Sequence, residues 1–437
     1  MIKDKYMNND FLPLGKHSKS KSNDKKNNEN SELNSESEIN TNNSFVWFIF
    51  IIGFTVILLS IVSVVFPGLI LSIFGDSEFL EPGEIGPIGI PLILTNIIIF
   101  SLIILYYLQR LPDSFIEFCR KILSSDLSRK NSLIFLIVIL AIYISISANE
   151  LSIYELNQYG DFLIVEDALE IWPDGKSENV YVTEQLTRHV RMILLVASDE
   201  IFDNIKIIPY IATILLLVTT YFLTVSFSKK NFTGLLAVVL VLQSSTFYTY
   251  DTIAVYENFW VLFYVFSIYL IFQKPKFSSI FYILSIFSKA ITILMLPVTI
   301  MITLLSEIPK RKKIFVIGSH LVVLAISIII FQFSNTIYGN VIDINTTEFV
   351  TGFTTLAFNL RFDVLLLLLL LPVSMGLFLK ARNGCRNSIS LMVLMCGSIL
   401  VTPVLEMITN FYFVYPYRYV PLVIFFAVST SSLLSRK

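Results

Sequence analysis

Residues 132–148 read SLIFLIVILAIYISISA, a run in which no side chain carries a charge. Its length falls within the roughly 17–25 apolar residues that an α-helix needs to cross the hydrocarbon core of a bilayer. Strands of a membrane barrel would instead alternate apolar and polar residues with a period of two. Backbone groups in hydrocarbon must pair within their own segment, so we predict a transmembrane helix over this run.

Similar runs occur along most of the chain, and the composition agrees with them. The hydrophobic fraction is 55% and the charged fraction only 15%, whereas soluble domains carry roughly 25% charged residues. The predicted fold is an all-α polytopic membrane protein with about twelve transmembrane helices. The runs are 45–67, 88–108, 132–148, 207–227, 233–249, 257–273, 313–334, 363–379, 388–404 and 418–434, with a helical hairpin in 277–306.

Lysine and arginine concentrate in alternate loops, which predicts how the helices are oriented. Short loops rich in these residues stay in the cytoplasm. On this rule the protein is a multi-pass protein of the plasma membrane with both termini in the cytoplasm, and the acidic loops face outwards. The largest external loop is 149–206, where the spacing of Glu166–Trp172 and Glu184–Leu195 predicts short helices. A loop this long is more often functional than idle.

Three regions are expected from these patterns. Residues 1–44 are rich in Lys, Asn, Ser, Asp and Glu, which predicts a disordered cytoplasmic tail. Residues 45–131 hold two transmembrane helices and a cytoplasmic loop, and residues 132–437 form a transmembrane core with the external loop. Segment 277–306 has basic residues on both flanks, which favours a hairpin with its apex at Ser288–Lys289 over one tilted helix with a snorkelling lysine.

The charge and the cysteines exclude some classes of function. The net charge of −1 gives no electrostatic case for nucleic-acid binding. The three cysteines show no CxxC spacing, so they predict neither a metal site nor a disulfide framework.

Ionisable residues gather near the predicted external ends of the helices. Such residues are costly at membrane depth and are often functional. Each one alone is also explained by a structural ion pair or an interfacial anchor. Together, the cations suit a lipid phosphate, and a carboxylate beside them suits proton abstraction. The residues are Asp251, Glu257, Lys289, Arg361, Asp363, Glu406 and Arg418.

From about residue 132 onwards, several segments resemble the GT-C superfamily of membrane glycosyltransferases, within it the protein mannosyltransferase and aminoarabinose transferase-like branch. Gly160-Asp-Phe-Leu-Ile-Val is similar to the GDW/GDF segment of the family's external loop. The hairpin with Ser288–Lys289 resembles a lysine-containing segment of the family, and Tyr417-Arg-Tyr-Val-Pro resembles the start of a late family helix. Arg188-His-Val-Arg looks like part of the amphipathic run before the next span.

The resemblance implies an inverting transfer of a sugar from a polyprenyl-phosphate donor to a lipid, glycan or protein acceptor on the external face. It implies no cofactor, except a divalent metal if the donor is a diphosphate. The candidates for the general base are Asp161, then Asp167 and Glu150. The candidates for substrate or phosphate binding are Lys289, Arg418, Arg188, Asp251 and Glu257.

One departure from the family keeps two other functions open. Asn149 stands where the family has the first acid of an Asp–Glu pair. A non-catalytic membrane scaffold would tolerate neutral replacement of Asp161 and Lys289 together. A lipid or solute transporter would have broken helices and charged residues near the middle of the bilayer, whereas the charges here cluster towards one face.

Overall fold

The computed structural model describes residues 43–74, 83–157, 159–171, 188–333, 344–409 and 416–435. Over these ranges the chain forms α-helices and short 3-10 helices, and none of these residues lies in a strand. The predicted all-α class is therefore confirmed. The predicted disordered tail lies outside the described residues except for its last two positions, and so does the predicted short helix at Glu184–Leu195 before Arg188.

The α-helices are numbered here along the chain. They are α1 (Asn43–Val65), α2 (Pro67–Phe74), α3 (Gly89–Tyr107), α4 (Asp113–Ser124), α5 (Arg129–Ser147), α6 (Phe162–Ile171), α7 (His189–Phe202), α8 (Ile207–Ser228), α9 (Asn231–Leu242), α10 (Ser245–Thr249), α11 (Phe259–Gln273), α12 (Pro275–Ser288), α13 (Leu296–Leu305), α14 (Lys310–Phe333), α15 (Thr346–Leu360), α16 (Val364–Arg382), α17 (Arg386–Thr409) and α18 (Val420–Leu433).

Seven of the described helices are long and apolar enough to cross a membrane, namely α1, α3, α5, α8, α14, α16 and α17. This set indicates an integral membrane protein, as the apolar runs predict. Three further apolar stretches are helical but shorter, at Asn231–Leu242, Phe259–Gln273 and Ala290–Leu305. The number of about twelve crossings therefore stays a prediction.

The helical segment is interrupted at Lys289, the position where the sequence analysis places the apex of a hairpin. α12 ends at Ser288, and the backbone of Lys289 is extended, with φ −157° and ψ 117°. The hydroxyl of Tyr282 then donates to the carbonyl oxygen of Thr292 at 3.0 Å, which brings the returning chain back onto α12. One continuous tilted helix is thereby excluded. α12 and α13 have 14 and 10 residues, so each is shorter than the roughly 20 residues of an ordinary span.

α18 lies at the centre of the helix packing. It contacts α8, α9, α16 and α17, and all but two of its residues are buried. A helix that is apolar on every side is expected to be enclosed by others. By contrast, only 11% of the apolar window of α3 and 22% of that of α5 are buried, so these helices lie at the periphery.

The two ends of the helices differ in charge. A hydrogen bond between the hydroxyls of Ser147 and Tyr210 joins the end of α5 to the start of α8. We refer to this side as the acidic end, comprising residues 148–171, 188–206 and 250–258. On the opposite side, Asn387 donates to the carbonyl oxygen of Phe227 and joins the start of α17 to the end of α8. We refer to that side as the basic end, comprising residues 109–130, 229–230, 310–313 and 380–386.

Candidate functional site

Two charged side chains hold the backbone of the loop between α10 and α11. The carboxylate of Glu155 accepts hydrogen bonds from the N–H groups of Ala254 and Val255, at 2.5 and 3.1 Å. The guanidinium of Arg191, on α7, donates to the carbonyl oxygens of Val255 and Ala254, at 2.7 and 3.4 Å. We refer to Glu155 and Arg191 as the loop clamp. Because the clamp holds one dipeptide by its amides and its carbonyls, it positions the next residue, Tyr256.

Arg191 also forms a buried ion pair with Glu257, with Nε and Oε2 2.8 Å apart. The two side chains are only 7% and 2% exposed. Burial raises the pKa of Glu257, and the positive charges of Arg191, Lys289 and Arg188 oppose that rise. Glu257 therefore lies in positively charged surroundings that extend from α7 to the apex of the hairpin.

Lys206 joins the segment after α5 to the start of α8. Its ammonium donates to the carbonyl oxygens of Glu150 and Ile153, at 2.7 and 3.2 Å, and lies 4.0 Å from the carboxylate of Glu155. Burial lowers the pKa of Lys206, and the charge of Glu155 works against that change. Burial raises the pKa of Glu155, opposed first by its two N–H donors and then by Lys206. The contacts tie the acidic segment to the bundle.

Asp251 is buried between α5 and α8. It accepts a hydrogen bond from the hydroxyl of Tyr143 at 2.7 Å. The neighbouring Thr252 donates to the carboxylate of Glu150 at 3.0 Å. Burial raises the pKa of Asp251 to about 7, with the Tyr143 hydrogen bond opposing the rise and the charge of Glu150 adding to it. Near neutral pH this carboxyl therefore exchanges between its acid and its ionised form.

Four tyrosines form an aromatic cluster next to these charges. The rings of Tyr256 and Tyr417 are stacked, with centroids 4.5 Å apart and an angle of 15° between planes. Tyr159 and Tyr250 meet the ring of Tyr256 edge-on, at 5.2 and 5.8 Å. Aromatic pairs of this kind stabilise by about 0.5–1.5 kcal/mol beyond their burial. We refer to these four residues as the tyrosine cluster.

An acid and two cations meet on the tyrosine cluster. The hydroxyl of Tyr256 donates to Asp161 at 2.7 Å. The ammonium of Lys289 lies 3.9 Å from the ring centroid of Tyr417, a cation–π contact. Arg418 donates to the hydroxyl of Tyr417 at 3.3 Å. Burial raises the pKa of Tyr417, but the charges of Lys289 and Arg418 outweigh burial and lower it to about 8.

The structure thus gathers most of the predicted site residues at the acidic end. Asp161, Lys289 and Arg418 adjoin the tyrosine cluster, and the charge of Arg188 acts on Glu257. Asp251 and Glu150 lie together on the side of α5. Asp167 is different, because it lies exposed on α6.

Two other acids singled out from the sequence make separate contacts. Asp363 is hydrogen-bonded to Ser244 and Thr246 at the start of α10. Glu406, on α17, accepts a hydrogen bond from Thr355 of α15 at 3.3 Å. Both contacts are hydrogen bonds that join neighbouring helices.

The sequence analysis did not select several residues that build this site. Glu155 and Lys206 carried no distinguishing signal, since each is one charge among many in the loop 149–206. Arg191 is the last residue of the quoted Arg188-His-Val-Arg stretch. Tyr256 belongs to a tyrosine-rich stretch, residues 248–256, whose three tyrosines were the available signal.

Within the described ranges, no three His, Cys, Asp or Glu side chains are grouped so that they could hold a metal ion. Comparison of the chain with protein-family models, with curated proteins and with solved structures finds no match. What the fold and the site define is a helical membrane protein with buried acids, cations and stacked tyrosines at one end. The resemblance to the GT-C superfamily rests on the quoted segments and stays a prediction.

Proposed function

We propose that this protein is a membrane glycosyltransferase of the GT-C type. It would move a sugar from a polyprenyl-phosphate donor to a lipid, glycan or protein acceptor at the acidic end. The observation that carries the proposal is the continuous contact from Asp161 through Tyr256 and Tyr417 to Lys289. A general base and a cation for a phosphate are the two groups that such a displacement needs.

In the proposed reaction, the acceptor hydroxyl attacks the anomeric carbon of the donor sugar. The new C–O bond forms as the bond to the donor phosphate breaks, so the configuration inverts. The proton of the acceptor goes to Asp161, which Tyr256 orients through one carboxylate oxygen. The phosphate leaves with the electron pair, and Lys289 and Arg418 would stabilise its charge.

A further donor lies beside Lys289. Its ammonium is 5.9 Å from the ring centroid of Trp260. The indole N–H of Trp260 is buried and has no acceptor among the described residues. A buried donor of this kind is costly unless it is paired, so a phosphate oxygen is a suitable partner.

The proposal places the acidic end outside the plasma membrane and both termini in the cytoplasm. It takes the helical hairpin at Lys289 as two short crossings, so that the chain crosses about twelve times. The distribution of charge between the acidic and basic ends supports this orientation. The polyprenyl chain of the donor would then lie in the outer leaflet beside the tyrosine cluster.

The test is sugar transfer by purified protein, with radiolabelled polyprenyl-phosphate sugars as donors and membrane extract as acceptor. Wild type is compared with Asp161→Asn and with Asp167→Asn, which changes an exposed acid of α6. We expect Asp161→Asn to lose at least about a hundredfold in transfer rate while it still binds donor, and Asp167→Asn to keep its rate.

The other outcomes have distinct meanings. Loss of transfer in Asp167→Asn alone would move the base to Asp167. Survival of transfer in both variants would point to Glu150. An absence of transfer by wild type with every donor would favour the scaffold or the transporter.

A further inference from the structure

α4 (Asp113–Ser124) lies at the basic end and outside the packed bundle. None of its twelve residues is buried. It is connected to α3 and α5 by linkers of about five residues, which span at most roughly 18 Å. Because α3 and α5 are both apolar enough to cross the membrane, the linkers keep α4 close to the membrane surface.

The sequence of α4 divides cleanly into an apolar face and a polar face. At 100° per residue, its apolar side chains fall within one arc of about 160°. Of the apolar side chains, Phe118 is 60% exposed. The apolar side chains are Phe115, Ile116, Phe118, Cys119, Ile122 and Leu123.

The charges of α4 are arranged around this apolar face. Arg120 and Lys121 lie on opposite sides of the polar arc, towards its two borders with the apolar arc, and Asp113 and Glu117 lie between them. Both cations are exposed. Long basic side chains in such border positions can lay their stems on an apolar layer and reach charged headgroups with their tips.

Contacts with the bundle fix the C-terminal end of α4. The ammonium of Lys230 donates to the carbonyl oxygen of Leu123 at 2.6 Å, where a positive charge also complements the helix dipole. Just beyond α4, Asp126 accepts hydrogen bonds from the N–H groups of Asn231 and Phe232, at 3.0 and 3.2 Å. The helix is therefore held by its end at the start of α9, while its apolar face stays uncovered by the described chain.

We infer that α4 is an interfacial helix on the leaflet at the basic end, with its apolar face between lipid headgroups and acyl chains. The partner of this apolar face is a bilayer that contains anionic phospholipids, because the cations Arg120 and Lys121 border the face. The exposed Arg129 and Lys130, at the start of α5, add positive charge nearby. Basic residues near an anionic membrane surface are attracted to it electrostatically. This inference does not depend on the proposed glycosyl transfer.

The test uses spin labels on single thiols in full-length protein. Cys385 is replaced by serine and Cys396 by alanine, which leaves Cys119 on the apolar face. A second variant also carries Cys119→Ser and Glu117→Cys, which moves the label to the polar face. Both are placed in vesicles of phosphatidylcholine mixed with phosphatidylglycerol. If Cys396→Ala prevents folding, Cys396 is retained, because this buried thiol does not react in the folded protein.

We expect dissolved oxygen to relax the label at position 119 more than the label at 117, and a water-soluble nickel complex to do the opposite. Equal access of nickel to both positions would show a helix in water and overturn the inference. Protection of position 119 from both reagents would show that protein covers the apolar face, which also overturns it.

The anionic component is tested with Arg120→Gln and Lys121→Gln together. In the single-thiol protein with Arg120 and Lys121 intact, the label at 119 is expected to lie deeper when phosphatidylglycerol is present than in phosphatidylcholine alone. The double variant should lose this difference. If the label at 119 lies at the same depth in both kinds of vesicle when Arg120 and Lys121 are intact, the preference for anionic lipid is contradicted.

Discussion

Arg191 contributes both to the loop clamp and to the ion pair with Glu257, and these roles can be separated. Arg191→Met leaves the carboxylate of Glu257 buried without its counter-charge, which should cost about 3–5 kcal/mol of unfolding free energy. Arg191→Met combined with Glu257→Leu removes both charges, so the double variant should recover most of the unfolding free energy that the single variant loses. Thermal unfolding in detergent measures the stability of the two variants relative to wild type. A double variant as unstable as the single one would assign the loss to the clamp.

Asp251 is expected to make stability depend on pH. Its pKa is raised from 3.8 to about 7 in the folded protein, so the folded state binds more protons than the unfolded state between these values. Unfolding free energy therefore falls as pH rises from about 4 to about 7 and then levels off. The neighbouring titratable groups are Tyr143, Glu150, Lys206, Tyr210 and Tyr248.

The comparison of wild type with Asp251→Asn isolates this group. The variant should lose part of the pH dependence and should unfold at a higher temperature than wild type at pH 8. Identical curves for the two proteins between pH 5 and pH 8 would show that Asp251 is ionised throughout.

The unpaired indole of Trp260 gives a prediction about donor binding. Trp260→Phe keeps an aromatic ring beside Lys289 but removes the N–H. If the N–H binds the donor phosphate, KM for the donor should rise at least about tenfold, since a hydrogen bond to a charged group contributes about 1.5–3 kcal/mol. Trp47→Phe is the matched control, because Trp47 lies at the other end of the bundle near Arg382. An unchanged KM would place the phosphate elsewhere.

Single residues show what the sequence could predict of the site. Charged side chains are conspicuous in an apolar chain, and Lys289 and Arg418 were selected for that reason, whereas Asp161 was selected through the family resemblance. The structure brings all three to the tyrosine cluster. Their connections could not be predicted, because they join distant segments. Tyr256 and Asp161 are 95 positions apart, and Glu155 and Ala254 are 99 apart. Only packing shows which of the many loop acids meets which partner.

At the scale of helices, the contact of α15 with α17 depends on a glycine. A Cβ at Gly352 would lie 2.6 Å from the Cα of Pro403, on the backbone of α17. Small residues allow membrane helices to approach this closely. Gly352→Ala should therefore reduce the unfolding free energy by about 1–3 kcal/mol, measured by thermal unfolding in detergent.

Gly318 supplies the matched control within α14. A Cβ there meets nothing within 4 Å, and alanine favours a helix by about 1 kcal/mol over glycine. Gly318→Ala should therefore leave stability unchanged or raise it slightly. Equal losses in the two variants would mean that the effect is not a contact between α15 and α17.

Helix boundaries followed closely from the apolar runs, but one interruption did not. The run predicted at 207–227 is α8, Ile207–Ser228. The run predicted at 233–249 is divided into α9 and α10, because Ser244 leaves the helical conformation and its hydroxyl caps the N–H of Phe247 at 3.0 Å. An apolar run reports burial in lipid or protein, and it carries little information about a break within it.

For the whole molecule, the opposite charges of the two ends lead to a prediction about orientation. Cys119 and Cys385 belong to the basic end, and Cys396 is buried. If the basic end is cytoplasmic, a membrane-impermeant maleimide should not label wild-type protein in intact cells. It should label a variant that carries Glu200→Cys together with Cys119→Ser and Cys385→Ser, because position 200 is exposed on α7 at the acidic end.

Permeabilised cells provide the control, since opening the membrane should expose the thiol of Cys385 at the basic end and raise labelling of wild type. Labelling of wild type in intact cells, together with protection of Glu200→Cys, would reverse the orientation. It would also place the tyrosine cluster in the cytoplasm, where a donor on the outer leaflet cannot reach Lys289. The same experiment with cysteines beside Lys274 and Lys310 tests the hairpin, because both flanks must be protected if α12 and α13 cross and return.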